Sequence, residues 1–300
     1  MSNVCAVVVT YNRLELLKEC INALDKQTYQ CDVLIVDNCS TDGTFKFLED
    51  NYTDNKKIIF FQTESNIGGA GGFNLGMKKA VEQGYDYIWI MDDDCLCEEN
   101  TLEELVKADS ELNGEYGYLS SVVLWKDDTE CIMNRQKVSK NYYQDLKLLE
   151  KGIIKIDQST FVSLFIKKET IAKYGLPIKE FFIWGDDIEY TRRINIRNKQ
   201  NSYMVGRSKV HHHTEKNVGS NIALDDENKI DRYIYAFRNE AFLYRKEGIA
   251  MVLYYLAKRG RDFFRILLYK KPNKTRRITI LLNGILKGLV FNPPIEYMDF

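Results

Sequence analysis

Hydrophobic positions in the first hundred residues come in short unbroken runs and in longer helical repeats. Cys5 to Val9 is a continuous apolar run of the kind a strand buried on both faces carries, and it stops at Thr10-Tyr11-Asn12-Arg13. Leu14, Leu17, Ile21 and Leu24 follow at helical spacing. Val33 to Val36 is a second buried strand closing on Asp37-Asn38, and the turn Ser40-Thr41-Asp42-Gly43 leads into a helix around 44–51. Ile58 to Phe61 is a third strand. Glycine-rich residues 68–72 precede a helix running to about Gln83, and Tyr87 to Met91 is a fourth strand, ending at Asp92-Asp93-Asp94. Strand–helix alternation at this spacing predicts a parallel sheet with helices on both faces, and such sheets bind ligands beyond the carboxyl ends of their strands. Thr10 to Arg13, Asp37 and the three aspartates are thereby predicted around one crevice.

The second half has a different rhythm. Residues 118–124 and 161–166 read as strands, 187–197 as a helix and 202–205 as a short strand, which together suit a mixed sheet. Residues 241–291 read as helices broken near Pro272 and Gly284. The predicted organisation is an α/β domain over 1–235, with a nucleotide-binding half (1–95) and an acceptor half (96–235), followed by a C-terminal helical appendage over 236–300.

Composition sharpens this picture in three places. A formal net charge of −1 over 300 residues carries no nucleic-acid signature. Residues 241–291 nevertheless hold twelve Lys or Arg against Glu247 and Asp262, interleaved with Leu, Ile, Phe and Tyr. That pattern suits an amphipathic helix on an anionic membrane surface, with an ordinary packing or oligomer interface as the competing reading. The seven cysteines are scattered and odd in number, so reduced thiols in a cytosolic protein are expected. No apolar stretch reaches the length of a membrane span, and the N-terminus reads as a strand rather than a signal peptide.

Four clusters carry candidate chemistry. Three adjacent carboxylates at the end of a buried strand are most simply compensated by a hard divalent cation, Mn2+ or Mg2+; a solvated acidic turn is the plainer alternative. Asn66-Ile67-Gly68-Gly69-Ala70-Gly71-Gly72 reads as a loop that lets a backbone approach a phosphate-bearing ligand, or as a structural turn; it is neither a P-loop nor a dinucleotide fingerprint. Trp184-Gly185-Asp186-Asp187 sets two carboxylates among aromatic residues, suited to a general base on a hydroxyl or to capping a helix. His211-His212-His213 contains every histidine, and strand alternation puts His211 and His213 on one face.

Taken in order, Val8-Val9-Thr10-Tyr11-Asn12-Arg13, Val36-Asp37-Asn38, the glycine-rich stretch, Met91-Asp92-Asp93-Asp94, Trp184-Gly185-Asp186-Asp187 and Val210-His211 resemble the family-2 glycosyltransferases with the GT-A fold over roughly residues 3–215. Within that family the motifs look most like bacterial galactofuranosyl- and rhamnosyltransferases that build surface polysaccharides. The resemblance implies an inverting, metal-dependent hexosyltransferase working from a nucleotide-diphosphate sugar, with UDP favoured. Its acceptor would be a glycan or a polyprenyl-diphosphate-linked glycan, and its location the inner face of the plasma membrane. Thr10, Tyr11, Asn12, Arg13 and Asp37 would hold base and ribose. Asn66 and Gly69 would approach the donor. Asp92 and Asp94 would bind the metal with His211, and Asp93 would lie near the ribose or sugar. Asp187, or its neighbour Asp186, would be the base, and Trp184 with Asp186 would line the acceptor pocket. Many family members carry Glu-Asp where this chain has Asp186-Asp187. A nucleotidyltransferase is the first alternative, but it needs a glycine-rich, basic loop after the first strand, where this chain has Thr10-Tyr11-Asn12-Arg13. A non-catalytic carbohydrate-binding protein of the same fold is the second.

Overall fold

The computed structural model describes residues 3–298. Its first half is β1 (Val4–Thr10), α1 (Leu14–Asp25), β2 (Asp32–Asp37), α2 (Thr44–Tyr52), β3 (Ile58–Gln62), α3 (Gly68–Glu82) and β4 (Tyr87–Asp92). These strands pair in parallel in the order β3-β2-β1-β4. Every residue of β1 is buried because helices cover both faces. Val4, Ala6 and Val8 pack in one core with Leu17, Cys20, Ile21 and Leu24 of α1. Cys5, Val7 and Val9 pack in the other with Phe73, Met77 and Val81 of α3. The period of two along the strand thus assigns alternate residues to different layers.

The chain continues through β5 (Cys95–Cys97), α4 (Thr101–Glu111), β6 (Leu119–Leu124), β7 (Lys137–Val138), α5 (Leu146–Glu150), β8 (Ile153–Gln158), β9 (Leu164–Lys167), α6 (Lys168–Tyr174), α7 (Asp186–Arg192) and β10 (Ser202–His212). Strand β9 joins antiparallel to β4 and makes the sheet mixed, and the order then runs β9-β6-β10-β8-β7. Strand β10 extends seven residues past the predicted Val205. After a register shift between Val205 and Lys209 it keeps pairing with β6 and also takes β5 antiparallel, His212 opposite Cys95. The predicted strand over 161–166 is confined to β9, and the predicted helix over 187–197 is α7 followed by a π-turn at Arg193–Arg197.

Three helices close the chain: α8 (Tyr233–Lys246), α9 (Ile249–Leu268) and α10 (Lys274–Val290). The predicted break at Pro272 falls between α9 and α10, but Gly284 lies inside α10 and does not break it. A Cβ at Gly284 would come 2.7 Å from Phe237 Cβ, and one at Gly288 2.4 Å from Ala241 Cβ. The two glycines, one turn apart, let α10 press directly on α8. The division drawn at 235/236 falls within α8, a continuous helix that packs on the domain. Phe181 meets Phe242 edge-on at 5.7 Å, and the buried Arg192 donates from Nε to Glu247 at 2.8 Å.

Gly288→Leu is therefore expected to destabilise the chain by about 1–3 kcal/mol through overpacking. Gly260→Ala in α9, where a Cβ meets open space, is expected to be neutral or to stabilise by up to about 1 kcal/mol. Denaturant unfolding of both variants checks the contrast.

Candidate active site

The register of the parallel strands sets the site. Val9 lies opposite Asp92 and Thr10 opposite Asp37, so β1, β2 and β4 release their polar residues along one edge. Asp93 turns back toward β1: its Oδ2 accepts from the Thr10 hydroxyl at 2.7 Å and its Oδ1 from Arg13 Nη1 at 3.2 Å. The same Arg13 nitrogen donates to Asp94 Oδ2 at 2.7 Å. The other oxygen of Asp94 faces His212 Nε2 at 2.9 Å. One ligand atom each from Asp92, Asp94 and His212 lies within 4.8 Å of the others.

Three carboxylates in so little water cannot all ionise freely. Burial, with Asp94 beside it, pushes Asp92 up to about 6. Burial pushes Asp93 up to about 7, against the pull of Arg13. Burial also works to raise Asp94, but the hydrogen bond and charge of His212, with Arg13, outweigh it and hold Asp94 at about 2. The His212 ring is raised well above its ordinary range: burial opposes its charge, and Asp94 overcomes that. Two carboxylate oxygens and an imidazole nitrogen are a donor set that suits Mn2+, and the carboxylates also suit Mg2+. His212 Nδ1 faces Asn134 Oδ1 at 2.7 Å, an oxygen that also accepts from the Cys131 thiol at 3.1 Å. An acceptor there keeps a hydrogen on Nδ1 and turns Nε2 to the carboxylates, as the outer partners of metal-bound histidines do.

The histidine brought to the aspartates is thus His212, not the expected His211. Successive residues of β10 point to opposite faces. His211 turns outward, its Nε2 at 2.8 Å from Asp128 Oδ1, and His213 contributes a backbone N–H to the Asp94 carbonyl at 2.9 Å.

Around this centre, Asn12 adopts a left-handed turn (φ 54°) that joins two loops. Its N–H donates to Ser40 Oγ at 2.9 Å and its Oδ1 accepts from Thr41 N–H at 2.7 Å. Tyr11 is exposed beside it. Asp37 reaches the same edge but is fully buried, with its oxygens engaged by Ser40 N–H (3.0 Å) and Gln62 Nε2 (2.7 Å). The glycine-rich stretch is not a loop before a helix, as expected, but the first turns of α3. Asn66 Oδ1 accepts from Gly68 N–H at 2.8 Å as the helix opens. A Cβ at Gly72 would sit 2.5 Å from Val9, so that glycine lets the helix close on β1. A Cβ at Gly68 (φ 75°) would sit 2.0 Å from the Phe182 carbonyl oxygen, which accepts from Ala70 N–H at 3.2 Å. Gly69 alone of glycines 68–72 faces open space.

The loop before α7 carries left-handed residues at Phe182, Trp184 and Gly185 (φ 64°, 65° and 88°) before Asp186 and Asp187 open the helix. Two non-glycine residues in that region cost energy that neighbours must offset. The fully buried Asn239 of α8 does so: its amide nitrogen donates to the carbonyls of Phe181 (3.0 Å), Ile183 (3.2 Å) and Trp184 (2.8 Å). Trp184 packs edge-on against Tyr233 at 5.0 Å. Asp187 Oδ1 accepts from Ile188 N–H at 2.7 Å. Burial pushes Asp187 up to about 7 and Asp186 well above the usual carboxylate range; Asp187 repels Asp186, and the charge of Asp92 reaches both. Both aspartates therefore lie in the electrostatic field of the β4 cluster. Sequence reading singled out the histidine cluster but favoured His211 over His212, and it missed Asn134 and Asn239. Of these Asn239 leaves a trace: an asparagine, a poor helix former, on the apolar face of a helix between Phe237 and Phe242.

Known proteins resemble this one in sequence and fold. The sequence matches the family described as Glycosyl transferase family 2 over residues 5–168. It is 29% identical over 202 residues to the galactofuranosyltransferase GlfT1 of Mycolicibacterium smegmatis (strain ATCC 700084 / mc(2)155), covering 64% of this chain and 65% of that one. It is 30% identical over 200 residues to GlfT1 of Mycobacterium tuberculosis (strain CDC 1551 / Oshkosh), covering 64% of each. The chain thus spans just under two thirds of the length of these relatives. Among solved structures, GalNAc-T7 with UDP, GalNAc and Mn2+ superposes with a TM-score of 0.62 at 14% identity, over 82% of this chain and 48% of that one. TarS of S. aureus superposes with a TM-score of 0.54 at 15% identity, over 96% of this chain and 44% of that one. With its mixed α/β sheet of GT-A type and a family match over more than half its length, the chain belongs to glycosyl transferase family 2.

Proposed function

We propose that the chain transfers a hexose, galactofuranose or rhamnose, from a nucleotide-diphosphate sugar to a hydroxyl of a glycan or lipid-linked glycan in surface polysaccharide synthesis, with inversion. The observation that carries this reading is the meeting of Asp92, Asp94 and His212 at one edge of the sheet, with Asp187 within reach of their field. The galactofuranosyltransferase relatives support the sugar, and the UDP and Mn2+ of GalNAc-T7 support the donor base and the metal. An undecaprenyl-phosphate mannosyltransferase of Micrococcus luteus, 28% identical over 105 residues, supports a lipid-linked acceptor.

Asp92, Asp94 and His212 would hold Mn2+ or Mg2+, which supplies positive charge for the departing diphosphate. Asp187 takes the proton of the acceptor hydroxyl. That oxygen bonds to the anomeric carbon as the bond to the nucleoside diphosphate breaks on the opposite face. Trp184, held by Asn239, shapes the acceptor side, and Arg13 fixes Asp93 and Asp94 beside the donor. Tyr11 and Gly69, both open to solvent, are placed to meet the nucleotide.

UDP is expected to raise the melting temperature only with Mn2+, and to do so more than dTDP or GDP; a ligand that binds the folded state alone stabilises it by mass action. Asp94→Ala should abolish that metal-dependent shift, and an unchanged shift would refute the metal assignment. Asp187→Asn should lower kcat by at least about 100-fold while UDP binding persists.

The sign of the pH dependence follows from Asp187. A base is useful only when ionised, and below about 7 this group carries its proton. The rate should climb with pH up to about 7 and then level, and the bound cation should move the rise to lower pH by favouring the ionised form. A profile with no rise anywhere below about pH 7 in single-turnover assays would exclude Asp187 as the base.

A further inference from the structure

Helix α9 buries only three of its twenty residues. Its inner face, Tyr255, Arg259 and Ile266, is buried, with the Tyr255 hydroxyl donating to the Phe237 carbonyl of α8 at 2.9 Å. Its outer face is apolar and uncovered: Ile249 (76% exposed), Leu253 (61%), Leu256 (49%), Phe264 (64%), Leu267 (44%) and Leu268 (80%). Spacings of three, four and eight residues, with Leu268 beside Leu267, place these along one side of the helix. At 1.5 Å per residue the stripe from Ile249 to Leu267 runs for about 27 Å. Apolar exposure on this scale marks an interaction surface.

Charge decides what covers it. Asp262 is the single acidic residue of α9, and it turns inward to Arg259 at 3.0 Å, where Glu240 also meets Arg259 at 3.1 Å. No carboxylate is therefore left on the outer face. Arg261 and Arg265 lie one turn apart beside the stripe, Arg261 meeting Asp262 only at 3.8 Å, and Lys270 and Lys271 follow its end, Lys271 3.5 Å from Asp226. A second copy seated on this face would bring two sets of arginines around an apolar seam, with no outward-facing carboxylate of the partner's α9 to answer them. An anionic lipid surface offers both what the stripe needs and what the arginines need. Among the described residues no helix is long and apolar enough to cross a membrane, so α9 would lie in the interface rather than span it.

We propose that the outer face of α9 docks the protein onto an anionic bilayer, the apolar stripe entering the acyl boundary and Arg261, Arg265 and Lys270 meeting lipid phosphates. This assignment stands on α9 alone and does not depend on the sugar or the metal.

The test is co-sedimentation of the full chain with vesicles of phosphatidylcholine alone or with one third phosphatidylglycerol. Binding is expected to the anionic vesicles at least tenfold above the neutral ones, weakened by salt. The substitutions Leu253→Glu and Phe264→Glu together should reduce it at least tenfold. Both positions are exposed, so the melting temperature and the UDP-dependent thermal shift should stay as in the parent chain. Absence of binding to anionic vesicles would overturn the proposal, as would binding that the double substitution leaves intact. Light scattering supplies the remaining outcome: a wild-type dimer that the double substitution converts to monomer would give the face to a second copy and refute the bilayer. Retained metal-dependent UDP binding with lost vesicle binding would sink the docking face alone and leave the transferase reading standing.

Discussion

Negative charge packed at the carboxyl edge of a parallel sheet is the constraint the rest of this structure answers. Asp92, Asp93 and Asp94 leave β4 where two helical layers already exclude water, and Asp186 and Asp187 come to the same region from the other half. Such a cluster persists only if something positive or hydrogen-bonding reaches each carboxylate. Thr10 and Arg13 come from β1 and the turn after it, His212 from the far end of a long β10, and Asn134 stands behind His212. Even so, Asp92, Asp93 and Asp187 hold their protons more tightly than usual. That residual imbalance is what makes a divalent cation a fitting guest.

How much of this was legible in the sequence depended on the range of the interactions involved. The parallel half was legible because a strand buried on both faces must be apolar throughout, and because the polar residues that interrupt it mark the ligand edge. The shared position of Thr10, Arg13 and the three aspartates follows from that rule. What depends on pairing between distant strands was not legible. The length of β10 is set by β5 and β6, and the histidine register follows from that length. The glycines of α3 look like a loop when composition is all there is to read; only contact with Val9 and Phe182 shows that they permit close packing. Gly284 misleads for the same reason.

The C-terminal helices pack directly against the loop and helix that carry Trp184, Asp186 and Asp187. Asn239 holds a strained loop through three carbonyls, Tyr233 backs Trp184, and Glu247 grips Arg192 at the end of the helix that Asp186 and Asp187 begin. An ion pair buried at both partners is costly to leave half-made, so α7 and α8 hold their relative place or lose it together.

The Gly68 contact carries a last consequence. Here the half that carries α3 and the half that carries α7 touch backbone to backbone, the Phe182 carbonyl lying where a side chain on residue 68 would have to begin. The separation of the two halves is thereby gauged by one absent methyl group. A bulkier residue would act as a wedge, prying the loop that bears Trp184 away from α3, and Asp186 and Asp187 would move off from the β4 aspartates although each carboxylate stayed intact.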